Sequence, residues 1–407
     1  MKRWLLALSV SFLPVLPVSA QGFGNVQGGT TAPSFVQPFE RIWDPGGYTK
    51  VWDIEVLSDG SIGVTGQQGF LSNAVRNFVG GADQSGAFYG RYDANGLPLK
   101  FTYFTSSKGV LEKLNGIALA EASNGDVFVA GYEITGEIYQ PVLIRVTRDA
   151  QEVWRKPLSG PASQRPYDVH ATEDGGCILF ASTSYRRTGR TENPQTWVAK
   201  ISADGEIEGQ SIFSGSGSDM APTSDGGFLL TNGTELLKLN ASGIETGRSD
   251  LSGGGRRKSI FKLASIGDGG ATLAMHFGKN RSFYGELIRF APDGSEMWST
   301  DINLGHATTV SRVVAAADGT LYVGGTFRKK DRSPNEPFVV RVSPDGQTQT
   351  LRKFPGRTET FVSAMEMVDP GIILVGGHTD EGVHIPPGGK THFTSKGWLT
   401  SISTDSF

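Results

Sequence analysis

An all-β fold is what this 407-residue sequence predicts: a seven-bladed β-propeller of four-stranded antiparallel blades, the ring closed by the N-terminal strand. Three observations predict it: a repeated acid-glycine turn, a second hairpin inside every repeat, and an N-terminal segment resembling the strand that the last repeat lacks. Glycine supplies 55 residues, roughly twice the ordinary share. The sequence is not of low complexity, so the excess suits many short strands joined by tight turns.

The turn acid or amide recurs at Asp59, Asn124, Asp174, Asp225, Asp268, Asp318 and Asp369, at spacings of 65, 50, 51, 43, 50 and 51 residues. Runs such as DIEVL or RVVAA precede the turns, and runs such as VFVAG or LYVGG follow them, rich in the β-branched and aromatic residues that suit strands. The second hairpins include YDANGLPLKF, WVAKISADGEIEG, ELIRFAPDGSEMW and FVVRVSPDGQTQT. Their Asn-Gly and Asp-Gly centres are tight-turn signals, because glycine accepts positive φ and Asn or Asp tolerates it. Blade two carries extra residues before Asn124, and blade four lacks the tryptophan and most of its middle loop. No segment keeps a helical period for more than ten residues, which argues against α/β folds.

The seventh unit stops at Phe407, just after its third strand. Near the other end, FERIWDPGG (39–47) resembles the fourth-strand segments QEVWRKPLSG and SEMWSTDINLG, placing Trp43 beside Trp154 and Trp298. Residues 38–45 are therefore expected to complete the last blade and remove an open sheet edge. Ahead of them, Lys2, Arg3, an apolar run to about Leu16 and Val18-Ser19-Ala20 read as a secretory signal peptide over 1–20. Residues 21–34 read as a flexible leader and 35–407 as the propeller. This leader makes a secreted or periplasmic location the expectation. The apolar run is too short to cross a bilayer, and no later run is long enough. One cysteine, Cys177 in CILF, cannot form a disulfide within the chain and reads as a small buried hydrophobe.

The pattern polar-x5-Asp-Gly-Gly, apolar strand, then Trp-Val-x-Lys-Ile-x-x-Asp-Gly resembles the secreted bacterial β-propellers with Asp-Gly blade repeats, the delta-sixty-type propeller repeats. The resemblance spans about 35–407, implies the fold, and implies no catalytic residues. Sialidase, quinone-enzyme and kelch signatures fit less well: SPDGQTQT (343–350) lacks the tryptophan and acid spacing of an Asp box.

Formal net charge is −3, without the global basic balance of nucleic-acid binders. Long, variable segments at 67–84, 132–140, 183–195, 277–283, 327–336 and 378–396 fall on one face of a propeller, opposite the short acid-glycine turns, and long loops on a rigid scaffold carry binding. They and the inter-blade GRRK hold Arg186, Arg187, Arg190, Arg256, Arg257, Lys258, Lys279, Arg281, Arg328, Lys329, Lys330 and Arg332, a local positive field for an anionic partner. Six residues before the turn acids lie Asp53, Asp168, Asp219, Lys262, Arg312 and Ser363, with Asn115 as the counterpart in blade two. These would line an axial channel, where acids beside bases can pair, hold a cation, or exchange protons. His378, Asp380, His384 and His392 lie within fifteen residues and offer metal-ligand chemistry in no recognised spacing. There is no nucleophile elbow, Walker loop or dinucleotide fingerprint.

The expectation is a monomeric, non-catalytic binding or scaffold propeller that needs no cofactor. It would engage a protein or an anionic surface glycan through the long-loop face. The alternative is an extracellular polysaccharide lyase or glycosidase using Asp53, Asp168 and Asp219, with Arg312 or Lys262 steadying negative charge.

Overall fold

The computed structural model describes residues 38–43, 48–70, 84–106, 113–135, 138–160, 163–183, 185–186, 189–190, 193–232, 235–250, 259–279, 282–292, 295–330, 333–354, 359–368, 371–383 and 392–407. They form seven antiparallel four-stranded blades in a ring. Each inner strand is followed by three strands running outward. Blade 1 is Tyr48–Val56, Ile62–Phe70, Gln84–Tyr92 and Pro98–Phe104; blade 2 is Lys113–Glu121, Val127–Thr135, Ile138–Val146 and Glu152–Pro157. Blade 3 is Arg165–Ala171, Cys177–Ser182, Gln195–Ile201 and Ile207–Ser214; blade 4 is Gly217–Pro222, Phe228–Asn232, Glu235–Leu239 and Glu245–Asp250. Blade 5 is Ser259–Ser265, Ala271–Lys279, Ser282–Phe290 and Glu296–Ile302; blade 6 is Ala307–Ala315, Leu321–Arg328, Glu336–Val342 and Gln349–Lys353. Blade 7 takes Thr360–Val368, Ile372–Val383 and His392–Ser403 from the C-terminus and Glu40–Trp43 from the N-terminus.

The acid-glycine turns work as the sequence implies. Gly60, Gly125, Gly175, Gly226, Gly269 and Gly319 all sit near φ 80°, where L residues are strained. A cation on the third strand reaches back to the turn of its own blade: Arg91 to the turn acid Asp59, Lys200 to Asp174 (2.7 Å), Lys238 to Asp225 (2.9 Å) and Arg289 to Asp268, while in blade 2, whose turn carries Asn124, Arg145 meets Asp126 two residues on (2.8 Å). Lysine and threonine contacts draw the Asp174 and Asp225 carboxyls down to about 2. The repeat motif is therefore a structural device, and it occupies the short-turn face.

Ring closure occurs through a different residue from the one sequence matching suggests. Trp154 and Trp298 stand opposite the third-strand cations Arg145 and Arg289. Their indoles donate to carbonyls of the next blade, Ala203 at 3.2 Å and Pro344 at 3.0 Å. Beneath them lie Gly205 and Gly346, where a Cβ would come within 2.9 and 2.7 Å of the indole. In blade 7 the corresponding site faces Ser401, and Phe39 fills it: its N–H donates to Ser401 Oγ at 2.9 Å, and Ser401 N–H donates to its carbonyl at 3.0 Å. A Cβ on Gly96 of blade 1 would run into the Phe39 ring. Trp43 pairs with Gly397, four residues further along the closing strand, so it is not the counterpart of Trp154 and Trp298. Blade 2 shows the converse case. Lys100 stands where a ring would be, and the turn residue below tolerates a Cβ, Ala150 at φ 64°.

The core lies between neighbouring blades, as in the layer of Phe128, Leu143, Leu179, Ala199 and Trp197 between blades 2 and 3. Cys177 belongs to it, a buried free thiol whose pKa burial pushes up to about 12.

Candidate functional site

Two regions gather chemistry, the axial channel and the face opposite the short turns. Every inner strand carries a bulge just before its channel position, so that Asp53, Ala118, Asp168, Asp219, Lys262, Arg312 and Ala364 share one register. This corrects two expectations. Ser363 is the bulge residue itself, and Asn115 lies three residues early. Gly371 (φ 80°) takes the place of Gly60 in blade 7, so the count of six runs from Pro370 rather than from Asp369.

Blades 2 and 7 carry small buried alanines at this register. Arg312 of blade 6 reaches past blade 7 and donates from Nη2 to the Trp52 carbonyl of blade 1 at 2.9 Å. Asp219 accepts from Lys262 Nζ at 2.6 Å and from the Leu263 N–H at 2.7 Å. Asp53 accepts from the Leu119 N–H at 3.0 Å. Each of these two carboxylates thus stitches its inner strand to the next.

Two residues further along the same strand faces, a second layer holds Glu55, His170 and Glu366. Glu55 accepts from the Glu121 N–H at 3.0 Å, and His170 Nε2 lies 3.2 Å from Asp168 Oδ2. The i, i+2 spacing on a strand is the signal that would have found Glu55 from Asp53 and His170 from Asp168; Glu366 keeps that spacing only from Ala364. The groups are enclosed by the ring yet keep partial accessibility, as the walls of a lumen do.

Enclosure and like charge shift their titration. Burial, then Asp168, raises Asp53 to about 6 against the pull of Arg312. Burial, then Asp53, raises Glu366 to about 8. Burial, then Glu366, raises Glu55 well above the usual carboxylate range. Burial also raises Asp219, with Lys262 opposing. Asp168 and His170 go the other way as a pair: burial opposes both charges, but each stabilises the other, so Asp168 falls and His170 rises. The lumen therefore holds carboxyls that keep protons near neutrality beside ionised Asp168 and the cations Lys262 and Arg312.

The opposite-face segments are more regular than their polarity suggests. The middle connection of blade 7 is a long hairpin paired as far as Val383↔His392, and that of blade 5 is paired as far as Lys279↔Ser282. His378 lies within a strand, buried against Phe361 (5.0 Å, stacked) and Trp52 (5.7 Å); burial and Lys50 hold it down to about 3. Asp380 pairs with Lys50 at 3.7 Å. His392 opens the next strand, and His384 lies outside the described residues. Among the described residues no group of three or more His, Cys, Asp or Glu is placed to hold a metal ion.

Of the predicted cations, Arg186 and Arg190 sit in a two-stranded hairpin and Lys279 ends a strand. Arg328 is half-buried, while Lys329 and Lys330 are exposed, Lys329 pairing with Glu336 at 2.7 Å. Arg187, Arg256, Arg257, Lys258, Arg281 and Arg332 lie outside the described residues. No described helix is long and apolar enough to cross a membrane.

Solved structures share the architecture at low identity. The Neurospora crassa Pan2 WD40 domain matches with a TM-score of 0.51 at 8% identity, covering 88% of this chain and 91% of that one. Sqt1 from Chaetomium thermophilum matches at 0.48 and 13%, covering 88% and 97%. A protein of unknown function from Bacteroides caccae matches at 0.42 and 14%, covering 65% and 90%. At such identities the likeness concerns the fold alone. No protein-family model matches the sequence, and no curated protein does.

Proposed function

We propose that the protein is an exported, non-catalytic binding module whose long-hairpin face engages a protein or an anionic surface glycan. One observation carries this reading: the conspicuous charges elsewhere already have structural work. The turn acids of blades 1, 3, 4 and 5 are matched by third-strand cations of their own blades. Asp53 and Asp219 are committed to inner-strand N–H groups. Lys329 and Lys330 are exposed at the hairpin end of blade 6, within the cation-rich stretch FRKKDR, with Glu336 beside Lys329 as the one carboxylate partner among the described residues. Export rests on the Lys2-Arg3 leader and its apolar run.

The test is the double reversal Lys329→Glu/Lys330→Glu, titrated against an acidic polysaccharide at low and ordinary salt. Affinity falls about tenfold or more and its salt dependence flattens, because exposed charges act through a field screened over about 8–10 Å. Unchanged affinity with the same salt slope refutes the assignment of this face.

A second reading, a polysaccharide lyase or glycosidase, is favoured by one feature. Asp53 and Glu366 are held to about 6 and about 8 in a lumen shared with His170, Lys262 and Arg312, the range where general acids and bases work. Release of new reducing ends or unsaturated products from the same polysaccharide would favour it over the binding module.

A further inference from the structure

Arg165 opens the inner strand of blade 3 at the long-hairpin end of the cleft that faces blade 2. Its guanidinium carbon lies 5.2 Å from the Tyr132 ring centroid and 5.8 Å from that of Tyr167, so two aromatic faces cover it. Tyr132 in turn meets Tyr139 edge to face at 5.3 Å. Cation–π contact stabilises the charge, but it satisfies none of the five N–H donors. Among the described residues the Arg165 side chain makes no ion pair or hydrogen bond, and its buried Nε has no acceptor. Arg91, Arg145, Arg148, Arg155, Arg248 and Arg289 each reach a carboxylate. A guanidinium taken partly out of water without a counter-ion is costly.

The adjacent Gln164 repeats the deficit. It is fully buried, its backbone N–H is bound to the Tyr139 carbonyl at 2.8 Å, and among the described residues neither its amide oxygen nor its amide nitrogen has a partner. Buried polar atoms are ordinarily paired, so two successive residues with unmet hydrogen-bonding capacity mark this corner as built for something polar.

We propose that Arg165 is the anchor for an oxyanion carried on a sugar ring, a carboxylate or a sulfate, with Tyr139 as the adjoining platform. The guanidinium edge matches a carboxylate or sulfate in a two-pronged fork, and its faces are already immobilised by Tyr132 and Tyr167, which lowers the ordering cost of binding. Half-buried Tyr139 offers the flat apolar surface on which a sugar face packs. This inference rests on the binding reading above and names the ligand class and the contact point on that face.

The experiment titrates the mature chain with a tetragalacturonate, with its neutral methyl ester, and with a sulfated tetrasaccharide. Calorimetry gives affinity, and the Arg165 Nε–Hε resonance reports on the site without any substitution. The charged probe binds and shifts that resonance, while the ester does not. Preference between the two charged probes identifies carboxylate or sulfate as the source. Arg165→Gln weakens binding at least tenfold. Arg165→Lys, which keeps the charge and loses the fork, also weakens it. Tyr139→Ala weakens it several-fold, with melting temperatures close to that of the parent. Parent-like affinity of Arg165→Gln, or an unmoved Nε–Hε resonance at saturation, overturns the proposal. If that happens while Lys329→Glu/Lys330→Glu abolishes binding, the face stands and only the anchor is wrong. Failure of the parent chain to bind either charged probe overturns the ligand class, and retained binding of a protein partner would leave the wider reading in place.

Discussion

Replacing Phe39 by alanine should loosen the whole ring, because one side chain holds the outer edge of blade 7 to blade 1. Phe39 is 7% exposed. Removing nearly all of roughly 200 Å² of aromatic surface from water, at about 25 cal/mol per Å², is worth about 4–5 kcal/mol as an upper estimate. Typical Phe→Ala losses of about 3–5 kcal/mol agree. For about 370 residues unfolding together, an entropy of about 2.1 cal/mol/K per residue turns this into a drop of about 4–6 °C in melting temperature. The control lies on the same strand. Ile42 is 57% exposed, so Ile42→Ala should change stability by less than about 0.5 kcal/mol. Gly96→Ala adds a partner to the test: it strains a backbone at φ 71° and drives a Cβ into the Phe39 ring. The steric part disappears in the Phe39→Ala background, so the two losses should be markedly non-additive. Calorimetry of the four variants decides the matter. Equal melting of Phe39→Ala and the parent, or equal losses from Phe39→Ala and Ile42→Ala, would refute the closure argument.

Channel protonation predicts an unusual pH profile. Glu366, ordinarily near 4.5, is raised to about 8, so the folded state keeps a proton that the unfolded chain has released. Stability then falls as pH rises from about 4.5 through about 8, by up to about 1.4 kcal/mol per unit. Glu366→Gln should flatten that decline in melting scans between pH 5 and 9; parallel curves for parent and variant would refute it. The turn acids behave oppositely. Asp174 is drawn down to about 2, so its contribution is present above about pH 4 and disappears as pH falls toward 2. Because Asp174 is exposed, Asp174→Asn should cost less than about 1 kcal/mol in urea unfolding at pH 7, and a larger loss would mean that the turn depends on the ion pair more than that exposure implies.

How far the sequence could be read depended on whether a residue's role was local. The acid-glycine turns are local: positive φ within a few residues demands glycine, and all blades repeat the demand. Matching by residue type failed where geometry rather than identity repeats. Trp43 resembles Trp154 as a letter, but the site opposite the third strand belongs to Phe39, and Pro370 inserted between Asp369 and Gly371 moves the blade 7 channel position from Ser363 to Ala364. Glu55 was accessible in principle, being two residues beyond Asp53, whereas Glu366 is two beyond Ala364 and so was displaced by the same one-residue shift. The Tyr132–Arg165–Tyr167 sandwich was not, because it joins strands of different blades and depends on how those blades lean together.

The glycines that replace a ring have a mechanical consequence. Aromatic clasps hold the outer ends of blades 2 and 3, 5 and 6, and 7 and 1, but Gly209 and Gly247 stand at those places in blades 3 and 4. Gly209 has open space where a Cβ would go. Blade 4 is fastened through its first three strands, by Asp219 to Lys262 and Leu263, by Asn232 to Thr196, and by apolar layers that include Leu230 and Leu237 toward blade 3 and Leu229 and Leu236 toward blade 5. It is thus a leaf hinged at its stem. When the ring breathes, the Glu245–Asp250 strand should swing outward first, and its amides should exchange with solvent well before those of Glu152–Pro157 or Glu296–Ile302.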